Sequence, residues 1–264
     1  MKQIFQKIAA FMGICVLTAM VPPAWSAENQ DTALQTVVQT DSLSGPFTEE
    51  DFFGDDFSDD PAGSVADPFY YFNYAMYVVN DNLYYYVLKP VAKGYKTVLP
   101  QKARKGIRNF FYNLMFPIRF VNNLLQWELE QASDEFGIFL VNSTAGILGF
   151  NQVAQKYLDM HTENEDLGQT LGTYGIKEGF YLVLPVLGPT TLRDAIGRVG
   201  DYFVLDPLNY VSPWELELAM DALDIVNRTS FRIGEYERVK DAALDPYAAF
   251  KDAYIQHRRM QVSQ

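Results

Sequence analysis

The chain has 264 residues, enough for one large or two small domains, and 48% of them are hydrophobic. Its formal net charge of −12 argues against a protein that binds the phosphate backbone of nucleic acids. One cysteine and two histidines are too few for a structural zinc site or a disulfide framework.

The first 26 residues have the pattern of a secretory signal peptide. Two lysines precede an uncharged, mostly apolar stretch over residues 8–21, which is too short to cross a bilayer as a helix. Cleavage after Ser26 would place the small residue Ala24 at position −3. Cys15 follows Met-Gly-Ile, which is not the sequence that precedes an acylated lipoprotein cysteine. We therefore expect Cys15 to be removed with the signal peptide.

Residues 27–66 form an acidic segment. Eleven acidic side chains lie within residues 28–67, and the chain has no Lys or Arg between residues 8 and 88. The segment lacks sustained hydrophobic periodicity, so we predict that it is disordered. A solvated acidic tail is favoured over a calcium site, because no calcium-loop pattern is present.

Residues 67–264 carry mostly helical patterns, and few stretches alternate as strands do. We therefore predict an all-α fold, a single domain of amphipathic helices. Helix starts are predicted where Ser, Thr or Asp precedes a carboxylate or a proline, at 162–165, 191–194, 212–215 and 245–246. The third of these is expected to open with a capping box and to begin a helix that ends near Asn227.

The first predicted helix is rich in aromatic residues, with nine in residues 69–86. Helical spacing places Asn73, Tyr77, Asn80 and Tyr84 in one polar stripe on an otherwise apolar surface. A helix that is apolar over most of its circumference lies either in the centre of a core or against lipid. The periodicity leaves both interpretations open.

The next predicted helix is basic and amphipathic. Its apolar side chains recur at helical spacing from Ile107 to Met115 and include Phe110 and Phe111. Much of the remaining surface is basic, with Lys102, Arg104, Lys105 and Arg108. This pattern suits a helix at a lipid interface near anionic head groups, and a surface helix of a soluble domain is the alternative.

A third apolar stretch runs over residues 180–188 and is interrupted by Pro185. We expect either a buried loop or a loop inserted into lipid. No stretch after the signal peptide reaches 18 consecutive apolar residues, so none is expected to span a membrane as a single helix.

No motif for catalysis or for a cofactor is present. The chain has no P-loop, no G-x-S-x-G elbow and no H-E-x-x-H pair. His161 and His257 are expected at the surface, and no pair of carboxylates stands in a recognisable hydrolase motif. We therefore expect no enzyme, no cofactor and no metal site.

Short motifs follow one another in a specific order: Asp67-Pro68 with Phe72-Asn73, Lys89-Pro90-Val91-Ala92, Asn123-Leu124-Leu125-Gln126, Asn142-Ser143 with Gly146 and Gly149, the run from Glu165 to Gly172, and Asp245-Pro246-Tyr247. Each motif alone is weak evidence for a family, but their order along the chain is specific to one. On these motifs, the segment from about Asp67 to Arg258 resembles the MlaA (VacJ) family of Gram-negative outer-membrane phospholipid-transport proteins.

The resemblance implies a ring of helices in the inner leaflet of the outer membrane, with a central amphipathic channel. It implies phospholipid as the ligand, a trimeric porin as a partner, and a soluble periplasmic carrier that receives the lipid. Mislocalised phospholipids would leave the outer leaflet through the channel. No nucleotide-binding motif is present, so this component is expected to be passive. The resemblance also implies a location on the periplasmic side of the outer membrane.

The polar stripe and the family motifs together assign candidate site residues. The predicted channel residues are Phe72, Asn73, Tyr77, Asn80, Tyr84, Asn142, Gly146 and Gly149. The predicted membrane-interface residues are Lys102, Arg104, Lys105, Arg108, Phe110 and Phe111. Two other classes of function compete with lipid transport. A structural or adhesive envelope protein would dock on the membrane without carrying lipid, and a lipid hydrolase would release fatty acid.

Overall fold

The computed structural model describes residues 65–263. The predicted signal peptide and all but the last two residues of the predicted acidic segment lie outside this range. Within it the chain is predominantly helical, with one small two-stranded sheet, which confirms the predicted all-α class. No helix in this part of the chain has both the length and the hydrophobicity needed to cross a bilayer.

The first half of the described chain is helical throughout. It contains α1 (Tyr70–Leu83), a π-helical turn (Tyr84–Leu88), α2 (Lys89–Val98), α3 (Gln101–Leu114), α4 (Phe116–Leu125) and α5 (Leu129–Thr144). The predicted first helix therefore continues through the π turn into α2. The predicted basic helix is α3, which begins after Pro100.

The second half mixes short and long elements. It contains α6 (Val153–Tyr157), α7 (Leu167–Thr173), β1 (Tyr181–Leu184), β2 (Gly188–Thr191), α8 (Leu192–Val204), a 3₁₀ turn (Pro207–Tyr210), α9 (Trp214–Arg232), α10 (Glu235–Ala242) and α11 (Pro246–Val262).

Two of the four predicted helix starts are confirmed. Thr191 caps α8 by accepting a hydrogen bond from the backbone N–H of Asp194 (3.3 Å). Asp245 caps α11 in the same way, with the N–H of Ala248 as donor (3.2 Å). In both cases the cap satisfies a backbone donor that the first helical turn leaves unpaired.

The other two predictions need correction. The helix predicted from Thr162 begins at Leu167, because Asp166 is the residue that caps it, through the N–H of Gln169 (2.9 Å). The capping box predicted at 212–215 does not form. Pro213 occupies the cap position of α9 and has no side-chain acceptor, and the helix continues beyond Asn227 to its end at Arg232.

The apolar stretch over 180–188 forms part of a β-hairpin rather than a loop. β1 and β2 pair antiparallel, with Tyr181 opposite Thr191. Tyr181 and Val183 point into a small apolar core, whereas the turn exposes Val186 and Leu187. The sequence analysis missed the hairpin because only two inward side chains alternate along β1, too few to establish a period of two.

Helices α7 and α8 cross at very short distance because both carry glycine at the crossing. A Cβ at Gly197 would collide with the backbone of Gly168, and one at Gly168 would lie 2.8 Å from a carboxylate oxygen of Asp194. This close crossing brings the partly exposed Asp166 and the buried Asp194, at the starts of the two helices, into one cluster.

Candidate lipid-contacting surface and polar interior

Large apolar side chains cover much of the outside of the described domain. Thirty-nine large hydrophobic residues are exposed between residues 65 and 263. The start of α1 presents Tyr71, which is 88% exposed, together with its aromatic neighbours. On α8, Leu192, Ile196, Val199 and Phe203 form an exposed stripe at helical spacing. Monomeric proteins in water rarely expose contiguous apolar patches larger than a few hundred Å².

The interior shows the opposite distribution. Twenty polar or charged residues of the described chain are buried, against twelve hydrophobic ones. In a water-soluble domain charged side chains are almost never fully buried unless they are paired. Here Arg119 and Arg258 form ion pairs with buried carboxylates across separate helices, and other buried charged groups bond neutral polar groups.

Two asparagines of α1 hold the β-hairpin against that helix. Asn73 is fully buried; its Nδ2 donates to the carbonyl of Tyr181 (3.0 Å) and its Oδ1 accepts from the N–H of Val183 (2.9 Å). A third bond joins Nδ2 to Asp67 Oδ1 (2.7 Å). Asn80 makes a similar pair of bonds to the end of β1 and its turn, at 2.9 and 2.7 Å. Both amides satisfy backbone groups at the strand edge, as a neighbouring strand would.

A buried ion pair joins α4 to α5. The guanidinium of Arg119 donates to both carboxylate oxygens of Glu135, from Nε at 2.8 Å and from Nη2 at 3.2 Å. The hydroxyl of Thr162 donates to the same carboxylate (2.6 Å), and the Arg119 guanidinium lies 3.8 Å from the centre of the Tyr112 ring. These contacts satisfy a fully buried carboxylate, which would otherwise be very costly.

A second charged cluster joins α7, α8 and α11. Arg258 donates to both carboxylate oxygens of Asp166 (2.8 and 2.9 Å) and to both of Asp194 (3.1 and 3.0 Å). The hydroxyl of Tyr254 adds a bond to Asp194 (2.8 Å). Burial alone would raise the pKa of Asp194, but the hydrogen bonds and positive charge of Arg258 outweigh it and hold that pKa below its ordinary value.

Two further buried carboxyls have no guanidinium partner. Asp201 accepts from Asn122 Nδ2 (3.1 Å) and from the N–H of Leu167 (2.9 Å), and burial raises its pKa to about 6. Burial likewise raises the pKa of Glu165 to about 7, although one amide donor opposes the shift. Both groups therefore titrate near neutral pH inside the polar interior.

The family described as MlaA lipoprotein matches residues 65–261. The chain belongs to the MlaA family. This confirms the resemblance predicted from the order of the motifs.

Individual relatives in this family cover most of the chain. The Escherichia coli protein named Intermembrane phospholipid transport system lipoprotein MlaA is 34% identical over 194 residues, which are 72% of this chain and 76% of that protein. The Haemophilus influenzae protein of the same name is 32% identical over 196 residues, 73% and 77% of the two chains. A solved structure described as the structural basis for maintenance of bacterial outer membrane lipid asymmetry has a TM-score of 0.63 and 30% identity. It covers 75% of this chain and 99% of that one.

Within this MlaA-family domain, the predicted channel residues divide into two groups. Phe72 is exposed, while Tyr77, Asn80 and Tyr84 are partly exposed and stay candidates. The assignment of Asn73 is corrected, because its side chain is fully buried and all its polar atoms bind protein groups.

Three more predicted channel residues lie at the turn between α5 and α6 and are buried there. Asn142 is buried; it donates to Gln155 Oε1 (3.0 Å) and accepts from the N–H of Ala154 (3.0 Å), which holds α6 against α5. Gly146 and Gly149 are buried in the same turn, and Gly149 has a φ of 89°, which favours glycine. These three residues of the motif therefore lie at or in the turn between α5 and α6.

The predicted membrane-interface residues also divide. Lys102, Lys105 and Arg108 are exposed, and Phe110 is partly exposed. The assignment of Phe111 to the membrane interface is corrected, because its side chain is 1% exposed and packs inside the domain.

The assignment of Arg104 to the membrane interface is also corrected, because its side chain is buried. Its Nη1 donates to the hydroxyl of Ser230 (2.8 Å), and Asn227 Nδ2 donates to the Arg104 carbonyl (3.1 Å), so the residue joins α3 to α9. Its guanidinium lies 4.7 Å from the centre of the Phe231 ring. The periodicity showed that α3 is basic, but not which of its basic residues faces another helix.

The sequence analysis missed the charged residues of the interior. Arg119 lies between Ile118 and Phe120 in an otherwise apolar stretch of the sequence. A charged residue at such a position could have been predicted to be buried and paired. Arg258 entered the sequence analysis only as the end of the segment that resembles the family. No group of three or more His, Cys, Asp or Glu side chains within residues 65–263 is placed to hold a metal ion. His161 and His257 are exposed, as predicted.

Proposed function

We propose that this chain is a passive component of intermembrane phospholipid transport. It removes mislocalised phospholipids from the outer leaflet of the outer membrane through an amphipathic channel, passes them to a soluble periplasmic carrier, and so maintains lipid asymmetry. A trimeric porin is its proposed partner in the membrane. The names of the Escherichia coli and Haemophilus influenzae relatives support the transport class.

The inverted distribution of polarity carries this proposal. An exposed apolar surface suits helices that lie among the acyl chains of one leaflet. Buried ion pairs and amide bonds join the helices, and the apolar core is small. This arrangement suits a protein in lipid, where the surroundings are as apolar as the side chains and apolar burial between helices is not a driving force. A ring of such helices would enclose a path for phospholipid, with a polar wall for the head group and an apolar wall for the acyl chains.

An open pocket beside Tyr84 is a candidate part of the lipid path. It has a volume of about 360 Å³ and lies between the π turn, α9, α10 and α11. Tyr84, Tyr236 and Phe250 supply aromatic walls. Arg232 and Arg228 supply positive charge, although Arg228 is paired with Asp224 (2.8 Å), and the carboxylate of Glu235 also lines the pocket. Aromatic walls beside guanidinium groups match the chains and the phosphate of a phospholipid.

The experiment compares two threonine-to-tryptophan variants in cells that lack the chromosomal copy of this protein. Thr229 lines the pocket, and Thr97 is exposed on α2 away from it. We expect Thr229→Trp to fill the pocket and leave phospholipid in the outer leaflet, measured with a membrane-impermeant amine-reactive probe. Thr97→Trp should restore asymmetry as the wild type does. Equal restoration by both variants would remove the pocket from the path.

Two measurements separate the competing classes. Loss of the protein should raise the surface-accessible phospholipid, and purified protein should carry extractable phospholipid. A docking protein would show neither effect. A hydrolase would instead release fatty acid from phospholipid vesicles.

We also propose that the mature protein resides on the periplasmic side of the outer membrane without an acyl anchor. The exposed apolar surface of the domain can itself hold it there. Cleavage after Ser26 should give a mature chain that starts at or next to Ala27, with no added mass from acyl groups. Intact-mass analysis checks this, and a diacylglyceryl group on Cys15 would contradict it.

A further inference from the structure

A groove between α3 and the α5–α6 loop gathers three lysines around an open cavity of about 710 Å³. Lys102 and Lys105 lie on α3, and Lys156 lies on α6. All three are exposed, and within residues 65–263 no carboxylate lies within ion-pair distance of their ammonium groups. The cavity is within the size range of small-molecule sites, about 300–1,000 Å³.

The basic residues of α3 face two directions. Lys102, Lys105 and Asn109 are spaced at i, i+3 and i+7, so they share the face that lines the groove. Arg104 and Arg108 turn instead toward α9, where both guanidinium groups lie within 5.0 Å of the centre of the Phe231 ring. The positive charge available to a ligand in the groove is therefore carried by lysine.

The floor of the groove is held in place by specific contacts. Asn109 Nδ2 donates to the carbonyl of Phe150 (3.3 Å), and the Phe150 ring lies 5.3 Å from the ring of Phe110. A Cβ at Gly106 would lie 3.1 Å from the Phe150 ring, so the loop approaches α3 closely at this glycine. The buried Asn142 amide holds the opposite wall through α6. The lysines are thus presented by a built surface.

Apolar side chains continue from the groove. Phe150 and Tyr157 line it, and both are exposed. Next to them Ile147, Leu148 and Leu158 are exposed, at 66%, 62% and 55%. Positive charge beside exposed apolar side chains suits a ligand that carries an anionic head and an acyl chain.

We propose that this groove binds the phosphate-bearing head group of an anionic lipid, with Lys102, Lys105 and Lys156 on the phosphate. The acyl chains lie along Phe150, Tyr157 and Leu158. The inference shares with the proposed function only the need for a lipid environment. The groove is lined by different residues from the pocket beside Tyr84, and it gives the protein a preference for anionic over zwitterionic lipid.

The test uses the purified full chain in an uncharged maltoside detergent, with binding followed by calorimetry. The probes are dihexanoyl phosphatidylglycerol, dihexanoyl phosphatidylcholine, and glycerol phosphate as a head group without chains. The variant changes Lys102, Lys105 and Lys156 to Gln. The matched control changes Lys93, Lys96 and Lys177 to Gln, which removes the same charge from exposed lysines outside the groove.

We expect the wild type and the control to bind phosphatidylglycerol at least about tenfold more tightly than phosphatidylcholine, since each lysine near an anionic group contributes roughly fivefold. The groove variant should lose this preference. Raising the salt from about 0.05 M to about 0.5 M should also abolish it in the wild type, which tests the charge without any substitution.

Three results would overturn the inference. The first is an equal loss of preference in the groove variant and the control. The second is a preference that salt does not change. The third is glycerol phosphate binding as tightly as phosphatidylglycerol, which would make the site one for a free anion. None of them bears on the Thr229→Trp comparison in cells, so the proposed transport function stands or falls separately.

Discussion

Replacing Asn73 with Leu tests whether the stripe of α1 is a structural clamp. The side chain is fully buried and makes three hydrogen bonds, two of them to the backbone of β1. Leucine has a similar size but cannot pair with those groups. The carbonyl of Tyr181 and the N–H of Val183 would then both lack a partner next to the apolar core.

The size of the effect follows from the number of groups left unpaired. Each buried polar group without a partner costs about 1–3 kcal/mol, so two of them predict a loss of about 2–6 kcal/mol in the free energy of unfolding. In a domain of this size about 3 kcal/mol lowers the midpoint of thermal unfolding by roughly 6–12 °C. Asn80→Leu should cost less, because the N–H of Val186 is in an exposed turn and can bind water.

Asn82→Leu is the matched control on the same helix. Asn82 is exposed, and among residues 65–263 its side chain bonds only the carbonyl of Val78 within α1 (2.9 Å). Its replacement should therefore stay within about 0.5 kcal/mol of the wild type. Unfolding of all three variants is measured in the same detergent by circular dichroism. An Asn73→Leu variant no less stable than Asn82→Leu would refute the clamp and return Asn73 to the list of channel residues.

Three further predictions concern the interior and the tail. Arg258→Met removes the guanidinium from the buried carboxylate of Asp194 and from the partly exposed carboxylate of Asp166, and should cost about 3–5 kcal/mol in denaturant unfolding. Arg259→Met should cost under about 1 kcal/mol, because its pair with Glu178 is partly exposed, and equal losses would contradict this. Since burial raises the pKa of Glu165 from 4.5 to about 7, the native state should lose stability as the pH rises through that window. Glu165→Gln should reduce this loss, and the part that remains below about pH 6 belongs to Asp201, whose pKa is also raised. An unchanged difference in stability between pH 5 and pH 8 would argue against the role of Glu165. Deleting residues 28–60 should leave the thermal midpoint of the domain nearly unchanged, whereas a drop of many degrees would show that they pack on it.

The sequence by itself determined the helical class, the family and much of the outer surface. Helical spacing correctly identified α3 and the starts of α8 and α11, because caps and periodicity depend on residues within one or two turns. The same local spacing placed Lys102, Lys105 and Arg108 at the surface, and all three are exposed. The order of the family motifs needed no structure to be recognised.

Tertiary structure alone decided the role of each polar residue. The stripe of α1 was visible in the sequence, but Asn73 bonds a strand 108 to 110 residues further along the chain. Arg104 and Arg108 are spaced like the neighbouring lysines, yet the packing of α9 turns them away from the groove. Periodicity reports which side chains share a face of a helix. It does not report what lies opposite that face, because the partner is brought there only when distant helices pack together.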